Sequence, residues 1–232
     1  MIVGLARGCL KQISVAFLMV VLSACGPLGG FGRVDSPAGV TLTPPSYYTP
    51  YYSTQKAKYL GEKYSHNLDQ LLEQVTHSPI GRLHFVNAVV SLGIGLFTHS
   101  ASQIPDARYL EVIVAMPDIL EANADFTVKV DQLFSQYGHD LLVILSSDLA
   151  IATEQQIAGY GLNFSWRSIA QTPSGPRLTL EGVVIYIPKE QAHRFVNQMI
   201  EQEELLNSSV FFARQGEQAA RLIRSTPPSP RP

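Results

Sequence analysis

Tyr160, Leu162, Phe164 and Trp166 alternate with Gly161, Asn163, Ser165 and Arg167, a period of two that predicts a strand with one buried face. After Thr172-Pro173-Ser174-Gly175-Pro176 a second β-rich run extends from Arg177 to Ile187, so the two runs are expected to pair as a hairpin. A turn centred on Ser174 would set Arg167 against Glu181, Trp166 against Gly182, Phe164 against Val184 and Leu162 against Tyr186. That register gives a cross-strand charge pair and an indole over a strand glycine. Upstream, Tyr109 to Met116 is a β-rich apolar run closed by Pro117, which reads as a buried strand. Residues 84–98 alternate through Val86, Ala88, Val90, Leu92, Ile94 and Leu96, and predict another strand; Gly93 and Gly95 argue against a helix.

Helical spacing marks three segments. Leu60, Tyr64, Leu68, Leu71, Leu72 and Val75 place an amphipathic helix over 55–77. Phe126, Val130, Leu133, Phe134, Tyr137, Leu141, Leu142, Ile144, Leu145 and Leu149 mark a longer apolar face, interrupted by Gly138, where a kink or break is expected. Ala192, Phe195, Val196, Met199 and Ile200 form one face of a helix over 189–206, followed by a short strand at Val210-Phe211-Phe212-Ala213. The order from about 109 to 214 is therefore β-α-β-β-α-β. It predicts an α+β fold of ferredoxin-like, split-βαβ arrangement, with the N-terminal helix and the 84–98 strand as additions.

The ends of the chain differ from this middle. Gly26 to Thr54 is rich in Gly and Pro and reads as a tether, with a coil reach of about 30 Å. Tyr47, Tyr48, Tyr51 and Tyr52 close it, either as a contact strip or as rings packed on the following domain. Residues 55–224 are expected to fold as one domain, and the Pro-rich residues 225–232 to lack a core. At the N-terminus, Arg7 and Lys11 precede the apolar stretch Ile13 to Leu22, which is shorter than the roughly 20 residues of a membrane span. Leu22-Ser23-Ala24-Cys25 follows, then Gly26. This segment resembles the signal peptide and lipobox of bacterial lipoprotein precursors, over about a tenth of the chain.

The resemblance implies cleavage before Cys25, a diacylglycerol thioether on its sulfur, and acylation of its amine. It implies a chain held to a membrane by those acyl groups, since two or more anchor stably where one does not. Gly26 lacks the Asp that tends to retain such proteins in the inner membrane, so the expected location is the outer membrane, facing the periplasm. The alternative is the outer face of the plasma membrane in a single-membrane bacterium.

Composition removes several classes of function. The chain has 17 Lys+Arg against 19 Asp+Glu and no basic run, which gives no electrostatic ground for a nucleic-acid partner. Its two cysteines are Cys9 and Cys25, so the expected mature chain keeps none for a disulfide, nucleophile or thiolate metal site. The six histidines, His66, His77, His84, His99, His139 and His193, show no metal-ligand spacing. Gly159-Tyr160-Gly161 precedes a strand and does not join strand to helix, so it is not read as a dinucleotide loop. His139, Asp140, Ser146, Ser147 and Asp148 are the nearest approach to an acid–base group. Two helical turns, about 10 Å, separate His139 from Ser146, and the set reads as the solvated side of a helix. The Glu201, Glu203 and Glu204 cluster reads likewise as a solvated helix end. No catalytic, cofactor or metal residue is nominated. The expectation is a non-catalytic envelope protein that binds a protein partner or serves a structural role. An envelope hydrolase or small-ligand binder with a dispersed site is the alternative.

Overall fold

The structure, a computed structural model, describes residues 39–82, 90–116, 125–215 and 221–224. It is an α+β fold built on a seven-stranded sheet whose strands lie side by side in chain order. The strands are β1 (Val40–Thr43), β2 (Val90–Phe97), β3 (Arg108–Ala115), β4 (Ile157–Thr172), β5 (Gly175–Pro188), β6 (Val210–Gln215) and β7 (Arg221–Arg224). The β1–β2 and β3–β4 pairs are parallel, and the other four pairs are antiparallel. The helices are α1 (Gln55–Lys63), α2 (Ser65–His77), α3 (Phe126–Leu133), α4 (His139–Ser147), α5 (Leu149–Ala152), α6 (Lys189–Val196) and α7 (Gln202–Asn207). No described helix is long and apolar enough to cross a membrane.

Period-two alternation decides the core. Leu92, Ile94 and Leu96 of β2, Leu110, Val112 and Val114 of β3, and Tyr160, Leu162, Phe164 and Trp166 of β4 are buried on one face with Val183, Ile185 and Ile187 of β5. Leu60, Leu68, Leu71, Val75, Leu133, Leu141 and Leu145 bring the helices onto that face, where α2 packs on α4 and α4 on α6. Polar ties join the layer: Asn67 Nδ2 donates to Asp148 at 2.7 Å and Lys63 Nζ to Glu154 at 2.7 Å.

Four expectations are corrected. The β-α-β-β-α-β order from residue 108 is present, but the strands are not split: β3 and β4 flank their helices and pair directly, so the ferredoxin-like strand order is not formed. The second helical pair, α6–α7, leaves and returns at one end of the sheet, since Tyr186 pairs with Val210 in the antiparallel β5–β6 ladder. The helix over 55–77 divides at Tyr64, and that over 189–206 divides beyond Val196, where Gln198 takes a positive φ of 57°. Third, the tether ends earlier than composition implies. Val40–Thr43 forms the edge strand, Thr54 Oγ1 accepts the Ala57 N–H as the α1 cap, and Tyr52 is buried. Tyr52 Oη accepts the Leu96 N–H at 2.7 Å, satisfying the β2 edge beyond the point where β1 stops.

The hairpin is present, one residue out of the expected register. Trp166 pairs with Glu181, Arg167 with Leu180, Phe164 with Val183 and Leu162 with Ile185. Its loop is the two residues Pro173 and Ser174, followed by Gly175 at φ 109°. The physical reason is facial: Phe164 and Leu162 share the helix-covered side with Val183 and Ile185, whereas Val184 and Tyr186 lie on the other side. The break expected at Gly138 takes the form of a π-helical turn, Phe134–Gly138, with the Phe134 ring against the space a Cβ at 138 would fill. The 90–98 part of the expected 84–98 strand is β2 over Val90–Phe97. Residues 84–89, Cys25 with the segment before it, residues 26–38 and the tail 225–232 lie outside the described residues.

Candidate functional site

On the second face of the sheet, Tyr48 and Tyr52, carried by two short 3-10 helices at Pro45–Tyr47 and Thr49–Tyr51, lie against Gly93, Gly95 and Phe97 at the β2 edge. Near the ends where β1 and β2 begin, this face is a shelf of small residues: Ser91, Ala115, Ser165 and Gly182 are successive partners across β2 to β5, with Arg214 next on β6. Ser91, Ala115 and Ser165 are half-buried, Gly182 is buried and Arg214 is exposed. Ile113, Asn163 and Val184 form the next row, also half-buried.

One row further, this face turns aromatic and contains a buried acid. Glu111 is 2% exposed and lies between Gly95 of β2 and Gly161 of β4. A Cβ on Gly161 would come within 2.9 Å of the Glu111 Cβ and Cγ, so the absence of a side chain there makes room for the acid. Asn163 Nδ2 donates to Glu111 Oε1 at 2.7 Å, while Oε2 is buried and the Tyr186 hydroxyl stands beside the carboxyl. Burial pushes the carboxyl up to about 7, against the opposing effects of Asn163 and the Tyr186 hydroxyl. His99 covers the same region, its ring centroid 4.5 Å from that of Tyr186, 5.0 Å from Tyr109 and 5.6 Å from Phe212. Both its ring nitrogens are buried without a partner among the described residues, and burial lowers its pKa, which favours the neutral imidazole. This packing can hold a proton on Glu111.

Beyond the shelf, β4 and β5 run on as a hairpin. The last β3 partner of β4 is Ser165 and the last β6 partner of β5 is Glu181, so over 166–172 and 175–180 the two strands pair with each other and with no third strand among the described residues. Seven residues of strand extend about 23 Å. On the shelf side of this projection, Ile169 is 43%, Leu178 58% and Leu180 36% exposed, beside Arg167. The opposite side is fastened at its base: Glu181 Oε2 accepts from the Trp166 indole at 2.8 Å and from Lys129 of α3 at 3.2 Å.

A cleft of about 430 Å³ opens on the helical side between α4, α5, α6 and β4, lined by Ser146, Tyr160, Lys189, Glu190, His193 and Arg194. Its polar groups are largely engaged. Lys189 Nζ donates to the carbonyls of Glu154 at 2.8 Å and Ile151 at 3.4 Å, Arg194 pairs with Glu204 at 3.2 Å, and Ser146 Oγ donates to the Leu142 carbonyl at 2.6 Å. The Tyr160 hydroxyl has no hydrogen bond among the described residues, and burial raises its pKa to about 12.

The polar residues singled out from sequence are used locally. His139 and Asp140 are exposed neighbours at 3.5 Å, Ser147 Oγ donates to the Ile144 carbonyl, and Asp148 caps α5 by accepting the Ile151 N–H. Glu201 precedes α7, and Glu203 and Glu204 lie in its first turn. Among the described residues, no group of three or more His, Asp or Glu side chains could hold a metal ion. Glu111 was missed by sequence reasoning, although a lone acid inside the apolar run 109–116 is a legible signal. No protein-family model matches the chain, and no match was found among curated proteins or solved structures.

Proposed function

We propose that the chain is an envelope lipoprotein, attached through acyl groups on Cys25 to the periplasmic face of the outer membrane, whose folded domain is a non-catalytic docking module for another envelope protein. The lipobox-like Leu22-Ser23-Ala24-Cys25 supports the anchoring. The shelf carries the docking reading: Ser91, Ala115, Ser165 and Gly182 present a flat strip of small residues where a sheet face would ordinarily pack on a second layer. A flat strip suits a protein surface better than a small molecule, which is held in a concavity. A photo-crosslinking amino acid at Ser91 or Ser165 in the intact cell is expected to trap a discrete partner, with the same group at exposed Asp140 as the control. Equal diffuse labelling from all three positions would refute the docking surface. Intact-mass measurement tests the anchor: the mature protein should begin at Cys25 with acyl mass attached, and Cys25→Ser should abolish it.

One observation favours a second reading, a small-ligand site. The cleft beside α6 brings the Tyr160 hydroxyl, which has no hydrogen bond among the described residues, together with Lys189, His193 and Arg194. A ligand there would raise the melting temperature of the wild type and not of Tyr160→Phe.

A further inference from the structure

The register of the sheet fixes where the chain enters the domain relative to the β4–β5 hairpin. Val40, the first residue of β1, pairs with Val90, and the neighbouring row runs from Ser91 through Ala115 and Ser165 to Gly182. The hairpin projects from that same row, so the segment leading back to Cys25 and the hairpin tip leave the sheet at one end. We propose that the tip of the β4–β5 hairpin is a second membrane contact, seated on the anionic phospholipid surface that carries the Cys25 acyl groups. This rests on the anchoring of Cys25 proposed above.

Three observations favour lipid over a protein occupant. First, the lengths agree: fifteen residues from Cys25 to Val40 reach about 20 Å as a coil and at most about 50 Å drawn out, and the hairpin extends about 23 Å from the same end. An anchored domain therefore carries the tip at the height of the headgroups. Second, the charge is complementary. Exposed Arg167 and Arg214 stand on and beside the hairpin, while the nearby acid Glu181 is occupied by Lys129 and the Trp166 indole. Basic side chains near an anionic surface contribute attraction that fades over a Debye length, so closeness to the bilayer is what makes them effective. Third, Ile169, Leu178 and Leu180 make a narrow exposed strip on one side of a two-stranded ribbon. The ribbon carries no third strand among the described residues, so its backbone edges need water and it cannot enter the hydrocarbon; at the headgroup level the edges stay hydrated while the strip dips inward.

The test uses the mature, lipidated full chain in vesicles of phosphatidylcholine with phosphatidylglycerol. With Cys25 thioether-linked and Cys9 lost with the leader, Leu178→Cys supplies a single thiol for an environment-sensitive fluorophore, and Asp140→Cys supplies the control. Both positions are exposed. Emission from position 178 should shift to shorter wavelength on vesicle binding and be lost when the lipids carry a quencher. The shift should weaken in pure phosphatidylcholine or with Arg167→Glu, and position 140 should not respond. If the chain floats with the vesicles while the 178 label remains in water, the docking is overturned and the anchoring stands. If the chain does not float, both are overturned. Shielding of the 178 label in detergent that grows with protein concentration would assign the tip to a second copy of the chain and also overturn the proposal.

Discussion

Replacing Glu111 with Gln should make the protein more stable at pH 8 and leave its stability near pH 4 almost unchanged. The carboxyl is raised from 4.5 to about 7, chiefly by burial. Between those values the folded chain holds a proton that the unfolded chain has released. Stability is therefore full below about pH 4.5 and falls as pH rises through 7, because the unfolded state binds fewer protons across that window. A shift of this size corresponds to about 3 kcal/mol, at about 1.4 kcal/mol per pH unit. The introduced amide could accept from Asn163 through its carbonyl and offer its N–H to Tyr186, imitating the protonated acid at every pH.

The assay is urea unfolding followed by Trp166, the single tryptophan and fully buried, at pH 4.5, 6, 7 and 8. The variant's advantage should grow from near zero to about 3 kcal/mol, or roughly 6–12 °C in Tm for a domain of this size. Comparing variant with wild type removes groups common to both. Glu154 is one: Lys63, then the Gln156 N–H and Tyr64, hold its carboxyl down to about 2, so its contribution is present above pH 4.5 and lost on acidification towards 2, below this window. A wild-type-to-variant difference that stays constant from pH 4.5 to 8 would refute the reasoning.

Gly161→Ala should destabilise the wild type because its methyl meets the Glu111 Cβ and Cγ at 2.9 Å, and a double-mutant cycle with Glu111→Gly, which removes both atoms, should recover much of the loss. Trp166→Ala should cost about 3–5 kcal/mol, read by circular dichroism, since it empties a fully buried site and removes a donor to Glu181. Tyr52→Phe should cost about 1–3 kcal/mol by leaving the buried Leu96 N–H without an acceptor, and hydrogen exchange at Leu96 should quicken. Dithiothreitol should not change the Tm, because the expected mature chain keeps no cysteine beyond the lipidated Cys25.

Period-two alternation made β2 to β5 legible because it reports directly which side chains are buried. Strand order was less legible, since βαββαβ describes connectivity and leaves open whether a third strand separates the first two; packing α2 against α4 and α4 against α6 is compatible with β3 and β4 as neighbours. The β1 strand was hidden by composition: four residues among Gly, Pro and Ser carry too little pattern to outweigh them. Glu111 escaped because its environment is made by residues on three other strands, Gly95, Gly161, Asn163 and Tyr186, none near it in sequence.

The one-residue difference in the hairpin register has the largest functional consequence. In the register centred on Ser174, Ile169 would lie across from Thr179, and Leu178 and Leu180 would share the side of Trp166, leaving no apolar strip. In the observed register Ile169 pairs with Leu178 and Arg167 with Leu180, so three aliphatic side chains and a guanidinium gather on one side of the projection. The core forces this outcome: Phe164 and Trp166 must share the helix-covered face with Val183 and Ile185, and the pleat then carries that assignment to the tip. A slip that hid the strip would expose Val183 and Ile185, which are almost fully buried, at about 1.5–3 kcal/mol for each side chain. The exposed strip thus follows from the packing of residues far from it, which explains how apolar side chains persist near the hairpin tip.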